Sequence, residues 1–176
     1  MGEYSKTIDL YGDEIGRVDY IDHLGSDLTI VNAARVSFGC EKSELDKRDK
    51  RLINYLIKHR HTSTLEHNVV TLKFIVPLYV RSQHHRHRTW SYNEISRRYT
   101  DKDLRFYQPV EFRTQHKSNR QASNPEETIN PMLELYDPAC SHPIRVLASR
   151  RIQEYHRETL SLFDELLAGG VCREQA

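Results

Sequence analysis

Four arginines, one carboxylate and several neutral donors crowd into one stretch: Arg86-His87-Arg88-Thr89-Trp90-Ser91-Tyr92-Asn93-Glu94-Ile95-Ser96-Arg97-Arg98-Tyr99. The guanidinium groups of Arg86, Arg88, Arg97 and Arg98 can each offer forked, charge-assisted hydrogen bonds to phosphate oxygens. Ser91, Asn93 and Ser96 add neutral donors and acceptors. Glu94 is acceptor-only and could receive a ribose hydroxyl or the N–H of a base. Such an array fits a nucleotide. It fits equally well a solvated basic surface whose polar side chains satisfy one another, and residue chemistry alone divides evenly between the two.

The surrounding charge narrows the ligand class. The formal net charge is only +1, yet residues 81–99 hold five arginines and three histidines against the single acid Glu94. A local basic focus on a nearly neutral chain suits a small anion rather than nucleic acid, which meets a broad basic face. His84, His85 and His87 lack the separated second ligand pair of a typical zinc site, so no metal is expected. Ser96 has no His–acid pair placed by the sequence to activate it, and reads as a structural or substrate-contacting serine rather than a nucleophile. Cys40, Cys140 and Cys172 are odd in number, widely spaced and without a CxxC pair, and read as reduced thiols of a cytoplasmic protein.

Elements able to position these residues can be read from periodicity. Val18–His23 alternates imperfectly and predicts a short strand. Ser26 and Asp27 offer N-caps for a helix carrying Leu28, Val31 and Val36. Ser43-Glu44-Leu45-Asp46 resembles a capping box for a second helix with Leu52, Ile53, Leu56 and Ile57 on one stripe, followed by a histidine-rich loop over 59–67. Val69–Val76 is a β-branched strand, with Val70, Leu72, Phe74 and Val76 on one face. Pro77 suits the first turn of a helix running to about His87, on which Gln83, Arg86 and His87 would share a face. Residues 89–99 read as an extended loop or edge strand. The stretch 101–141 is weakly patterned, with a mobile loop expected near Gln115–Asn124. Ile144–Leu167 predicts one long amphipathic helix stopped by Gly169-Gly170, and Val171–Ala176 reads as the start of another.

The stretch 86–99 resembles, at every fixed position, the R-H-R-x-x-S-x-N-E-x-S-x-R-Y signature of flavin-dependent thymidylate synthases, nine specified residues at set spacing. Asn32–Phe38 is similar to that family's N-terminal helix, and Thr64-Leu65-Glu66-His67 to its histidine-bearing loop. Phe106, Tyr107, Pro109, Arg113, Gln115, Asn119, Gln121 and Ser123 resemble the segment that follows the signature. The resemblance implies FAD contacts from Ser37, His61, Ser63, Glu66, Arg86, His87, Arg88, Asn93 and Glu94. For dUMP it implies Gln83, Arg86, Glu94, Ser96, Arg97 and Arg98, with Arg97 in a slot often filled by a small residue. It implies conversion of dUMP to dTMP, with methylenetetrahydrofolate as carbon donor and NADPH-reduced FAD as reductant, in a homotetramer with shared active sites. The implied fold is a single α/β (α+β) domain over residues 1–176, an antiparallel sheet flanked by helices.

The resemblance also carries an expectation about length. Family members continue past the position of Ala176, first with an arginine that helps hold dUMP. Beyond it come flavin-ring contacts and the arginine thought to activate the uracil, so the chain is expected to lack a C-terminal part. An inactive fragment that only binds FAD or dUMP, or joins full-length subunits, is the alternative. Composition sets the outer bounds. A chain of 176 residues fits one domain more readily than two, and a mean hydropathy of −0.72 with 29% charged residues points to a soluble protein. No apolar run approaches the ~20 residues of a membrane helix, and Met1–Leu10 is too polar for a signal peptide.

Overall fold

The computed structural model describes residues 6–136, 138–139 and 142–176, so Cys140 lies outside the described residues. The chain divides into two compact units, Met1–Ile75 and Val76–Ala176.

In the first unit, strands β1 (Thr7–Asp9), β2 (Arg17–Leu24) and β3 (Val69–Ile75) form an antiparallel sheet in the order β1-β2-β3. The β2–β3 register runs from Arg17 opposite Ile75 to Leu24 opposite Val69, shifting between Tyr20 and Asp22, where the alternation in the sequence is also imperfect. Across the β1–β2 pair, Thr7 donates its hydroxyl to Asp19 at 2.9 Å, a bond that helps hold this carboxyl below its ordinary range. Gly25 then turns the chain at φ +91°. A Cβ there would come within 2.1 Å of the Asn68 side chain and 3.1 Å of the His67 carbonyl, so only glycine fits between β2 and the following helix.

Helix α1 (Asp27–Arg35) begins as expected. Ser26 is the N-cap, its hydroxyl accepting from the Thr29 N–H while the Thr29 hydroxyl accepts from the Ser26 N–H. Helix α2 (Lys47–Lys58) begins three residues later than the Ser43 reading placed it. Asp46 is the N-cap and Asp49 closes the box, because two carboxylates at N-cap and N3 can each take an N–H that Ser43 is too early to reach. Helices α1 and α2 pack together, and among the described residues Ile30, Val31 and Leu56 are the buried apolar side chains of this unit. Ile57, expected on the same stripe, is exposed.

In the second unit, helix α3 spans Leu78–His84, with Pro77 at the N-cap. It ends three residues before the expected His87. The chain continues as tight turns, with Arg86 N–H on the Gln83 carbonyl at 3.1 Å and His87 N–H on that of His84 at 3.0 Å. The weakly patterned stretch contains two hairpins. Strands β4 (Phe112–Gln115) and β5 (Ser123–Ile129) pair antiparallel, and the register jumps between Arg113–Thr128 and Thr114–Asn124. Pro125 falls in that jump, where its missing N–H breaks no ladder bond. The loop expected near Gln115–Asn124 is the turn of this hairpin. The Gln115 amide donates to the carbonyls of Asn119, Arg120 and Ala122, and His116 Nδ1 accepts from the Ser118 and Asn119 N–H groups.

Strands β6 (Met132–Leu135) and β7 (Ile144–Leu147) form the second hairpin, with Arg145 directly opposite Glu134 and paired to it at 2.6 Å. This pairing takes the first four residues of the long helix that periodicity predicted. Helix α4 (Ala148–Ala168) starts only where β7 ends, because the remote Asn130 side chain accepts the Ser149 N–H at 3.1 Å and donates to the Ser149 hydroxyl at 2.8 Å. The helix is about 32 Å long and stops at Gly169 as expected. Val171–Ala176 makes a single turn, with Gln175 and Ala176 N–H groups on the Cys172 carbonyl. Strands are antiparallel throughout and accompanied by helices, as the sequence implied, but are spread over three sheets among the described residues.

Candidate functional site

The expected contacts fall into two groups, one in each unit. In the first unit, Ser37 lies on a 3-10 turn, Val36–Phe38, that continues α1 and is closed by Gly39 at φ +63°. The loop beyond it is tied back twice. The Asn32 amide pairs with the Lys42 backbone through both its donor and its acceptor, at 2.8 and 3.0 Å. Arg35 and Lys42 then converge on Asp49, at 2.7 and 2.5 Å, and the Asp46 N–H adds a third bond at 2.9 Å. Asp49 is fully buried, and this ammonium, backbone and guanidinium cage holds its carboxyl well below the usual carboxylate range, the Lys42 hydrogen bond contributing most. A charge so enclosed fixes the turn that presents Ser37.

The other three residues of this group follow α2. Arg60 adopts φ +56° and the chain closes as a double C-cap, with Arg60 N–H on the Ile57 carbonyl and His61 N–H on that of Leu56. Ser63 sits on the 3-10 turn Thr62–Thr64, which packs against both α1 and α2. The His61 ring stacks near Tyr55, with centroids 6.2 Å apart. Ser37, His61, Ser63 and Glu66 are all exposed, and the α1–α2 pair carries the turns that present them.

The second unit carries the signature. Gln83 occupies the last turn of α3, and Arg86, His87 and Arg88 follow in the turns beyond it, not on the helix face that spacing suggested. All four are exposed. Among the described residues, the Arg86, Arg88 and Asn93 side chains have no hydrogen-bond or ion-pair partner, leaving two guanidinium groups uncompensated. Glu94 is paired with Arg81. The loop is held from within by Tyr92, whose hydroxyl reaches the carbonyls of His84 and His87, each at 2.9 Å. The Tyr92 ring stacks on His85 at 4.3 Å, and Trp90 meets His84 edge-on at 4.8 Å.

Besides Glu94, three expected dUMP contacts have internal partners. The Ser96 hydroxyl accepts the Arg98 N–H at 3.3 Å, and its carbonyl receives the Tyr99 and Thr100 N–H groups. The Arg97 guanidinium reaches the Lys102 and Asp103 carbonyls at 2.8 and 3.5 Å, which matches a position occupied for its local bonding. Arg98 pairs with Glu174 at 2.7 Å. Arg81, Tyr92 and Asp49 are the positioning residues that sequence reading missed. Partners 13 and 14 residues distant leave no local signal, and Tyr92 stands at a position the signature leaves open.

Within the second unit, two guanidinium groups without internal partners and a carboxylate held by Arg81 supply donors and an acceptor of the kind that a phosphorylated nucleotide takes. Among the described residues no group of histidine, cysteine and acid side chains is arranged to hold a metal ion, and no helix is long and apolar enough to cross a membrane.

Comparison with known proteins adds the family. The family model described as "Thymidylate synthase complementing protein" matches residues 19–176, across both units. A flavin-dependent thymidylate synthase of Thermus thermophilus is 40% identical over 163 residues, covering 92% of this chain and 53% of the relative. That of Anaplasma marginale is 33% identical over 190 residues, covering 99% and 60%. The chain thus spans about half the length of the curated relatives it matches. Among solved structures, the UMP/dUMP methylase PolB from Streptomyces cacaoi bound with 5-Br dUMP is 29% identical with a TM-score of 0.60, covering 95% of this chain and 67% of that one.

Proposed function

This chain belongs to the flavin-dependent thymidylate synthase family, and from that premise we propose that it serves the methylation of dUMP to dTMP. The observation that carries the reading is that Arg86 and Arg88, two residues apart in the turns after α3, are exposed and without a partner among the described residues, while Glu94 of the same loop is fixed by Arg81. Two guanidinium groups with no internal partner keep their hydrogen-bond donors available, and an anionic ligand can take them as charge-assisted bonds.

In this reading FAD is held by Ser37, His61, Ser63, Glu66, Arg86, His87, Arg88, Asn93 and Glu94. Arginines take the phosphates, and the hydroxyls and carboxylate take the sugars and ring edges. dUMP is held by Gln83, Arg86, Glu94, Ser96, Arg97 and Arg98. Bound FAD supplies reducing equivalents obtained from NADPH, and methylenetetrahydrofolate supplies the carbon. The protein's own share is binding and orientation. Arg81 fixes the direction of the Glu94 lone pairs, and Tyr92 holds the turn from which Arg86 and Arg88 project. Both units serve one cytoplasmic domain, and the assembly is a homotetramer with shared sites. The relative PolB, solved with 5-Br dUMP, supports a pyrimidine nucleotide as substrate.

The test has two stages. Purified protein is titrated with FAD and followed by flavin fluorescence. Tritium release from C5-labelled dUMP is then measured with FAD, NADPH and methylenetetrahydrofolate present. Saturable flavin binding followed by tritium release is the expected outcome. Binding without release would favour the alternative, a module that holds FAD and dUMP without turnover. Failure to bind either nucleotide would refute the reading.

A further inference from the structure

We propose that Tyr92 is a positioning residue: its hydroxyl locks the turn from which Arg86 and Arg88 project, so that it sets flavin affinity without touching flavin. The inference rests on the reading that Arg86 and Arg88 bind the flavin phosphates. Tyr92 stands at a position that the family signature leaves open, so nothing in the motif assigns it a task.

The geometry assigns one. Helix α3 ends at His84, and its last carbonyls need donors that the helix can no longer supply. The His84 carbonyl receives the His87 N–H at 3.0 Å and the Tyr92 hydroxyl at 2.9 Å, and His87 Nδ1 lies 3.0 Å from it. The same hydroxyl lies 2.9 Å from the His87 carbonyl, which among the described residues otherwise meets only a longer contact from the Trp90 N–H at 3.4 Å. One O–H is thus shared between two carbonyls three residues apart. Arg86 lies between those carbonyls and Arg88 immediately follows the second. A hydroxyl fixed at both points limits the backbone freedom of the whole turn.

The ring makes that hydroxyl rigid. Tyr92 is half-buried, stacked on His85 at 4.3 Å with planes 29° apart, edge-on to His84 at 5.5 Å, and aligned with Trp90 at 6.5 Å. Aromatic packing of this kind holds a ring beyond what its buried area alone would achieve. The two arginines have no side-chain partner of their own among the described residues, so no side-chain bond orders them. Their order must come through the backbone, and Tyr92 supplies it.

The test uses Tyr92→Phe in the full chain, which removes the hydroxyl and keeps the stacked ring. Without flavin, limited trypsin digestion after Arg86 and Arg88 should quicken roughly 2- to 10-fold, the range expected for one lost hydrogen bond. Cleavage at Lys73 and Arg150 should be unchanged. FAD affinity should fall roughly 3- to 10-fold in Tyr92→Phe, but by less than about 2-fold when the change is made in a background carrying both Arg86→Ala and Arg88→Ala, because Tyr92 acts through those two side chains. Unchanged cleavage at the turn would overturn the proposal, as would acceleration spread over all sites. Additive flavin penalties would also overturn it, since a merely structural residue behaves that way. If the parent binds FAD and Arg88→Ala weakens it, the reading of the site stands whatever Tyr92→Phe does. A parent that binds no FAD removes that reading and the positioning role together.

Discussion

Arg88 and Arg97 carry the same charge in the same loop, and the structure separates what each should do. Among the described residues Arg88 has no hydrogen-bond or ion-pair partner, whereas the Arg97 guanidinium spans the Lys102 and Asp103 carbonyls at 2.8 and 3.5 Å. Replacing Arg88 with alanine therefore removes no internal bond, and the melting temperature should be unchanged. If the guanidinium holds a flavin phosphate, one charge-assisted hydrogen bond is lost, about 1.5–3 kcal/mol, or roughly a 10- to 150-fold rise in Kd. Arg97→Ala should show the reverse pattern. It frees two carbonyls of the loop and costs about 1 kcal/mol of stability, with a smaller effect on flavin. Both variants are measured by flavin fluorescence titration and thermal melting in the same buffer, since affinity for phosphates depends on ionic strength. An Arg88→Ala protein that melts like the parent and binds FAD equally well would refute the assignment. A loss of stability in Arg88→Ala would show that its side chain has an internal role.

Further outcomes follow from single features of each unit. Arg60 occupies a left-handed cap position at φ +56°, so Arg60→Gly should relieve about 1 kcal/mol of strain and raise the melting temperature, and a drop would mean that its side chain has a binding partner. Ser26→Ala removes a reciprocal cap from α1 and should cost about 1 kcal/mol in urea unfolding; no change would show the cap to be redundant. His156, stacked on Phe106 at 4.4 Å, has its pKa lowered by burial. The unfolded chain then binds the extra proton first, so stability should fall as pH drops below about 6.5, and His156→Gln should flatten that slope. Asp49 behaves in the same direction at lower pH: its depressed pKa, due first to Lys42, makes a contribution that is complete above about pH 4 and lost on further acidification, which Asp49→Asn should abolish in an acid titration followed by circular dichroism.

Local signals were legible in the sequence, and remote ones were not. Ser26 as cap, Gly169 as stop and the strands around Val18 and Val70 depend on neighbours within a few residues, and all appear. Errors arose where a distant partner overrides periodicity. Ile144–Leu147 has a helical stripe, yet β6 claims it as a strand, and Asn130 moves the helix start to Ala148. The β4–β5 hairpin escaped notice because its jump in register and Pro125 break the alternation that announces a strand. In the candidate site, the residue types and the motif were legible from spacing alone. The separation of engaged from unengaged arginines was not, since Glu174 lies 76 positions beyond Arg98.

That separation follows a pattern within the signature. Of the positions the motif fixes, Arg86, Arg88, Ser91, Asn93 and Tyr99 have side chains with no partner among the described residues. Of the positions it leaves open, Tyr92 braces the turn, Trp90 packs on His84, and Arg97 ties the loop to Lys102 and Asp103. Glu94, Ser96 and Arg98 are fixed and engaged, and their partners explain why: each is oriented or held at a loop end by the bond it makes. A guanidinium without an internal ion pair has none to break when it takes a phosphate, whereas Glu94 has lone pairs left beside its bond to Arg81. A scaffold position has the opposite requirement. It needs only some group able to reach the carbonyls that the turn leaves open, and several residue types can do so. In the reading proposed above, Arg86, Arg88 and Asn93 are therefore available to a ligand, while Tyr92, Trp90 and Arg97 brace the loop from positions the motif leaves open.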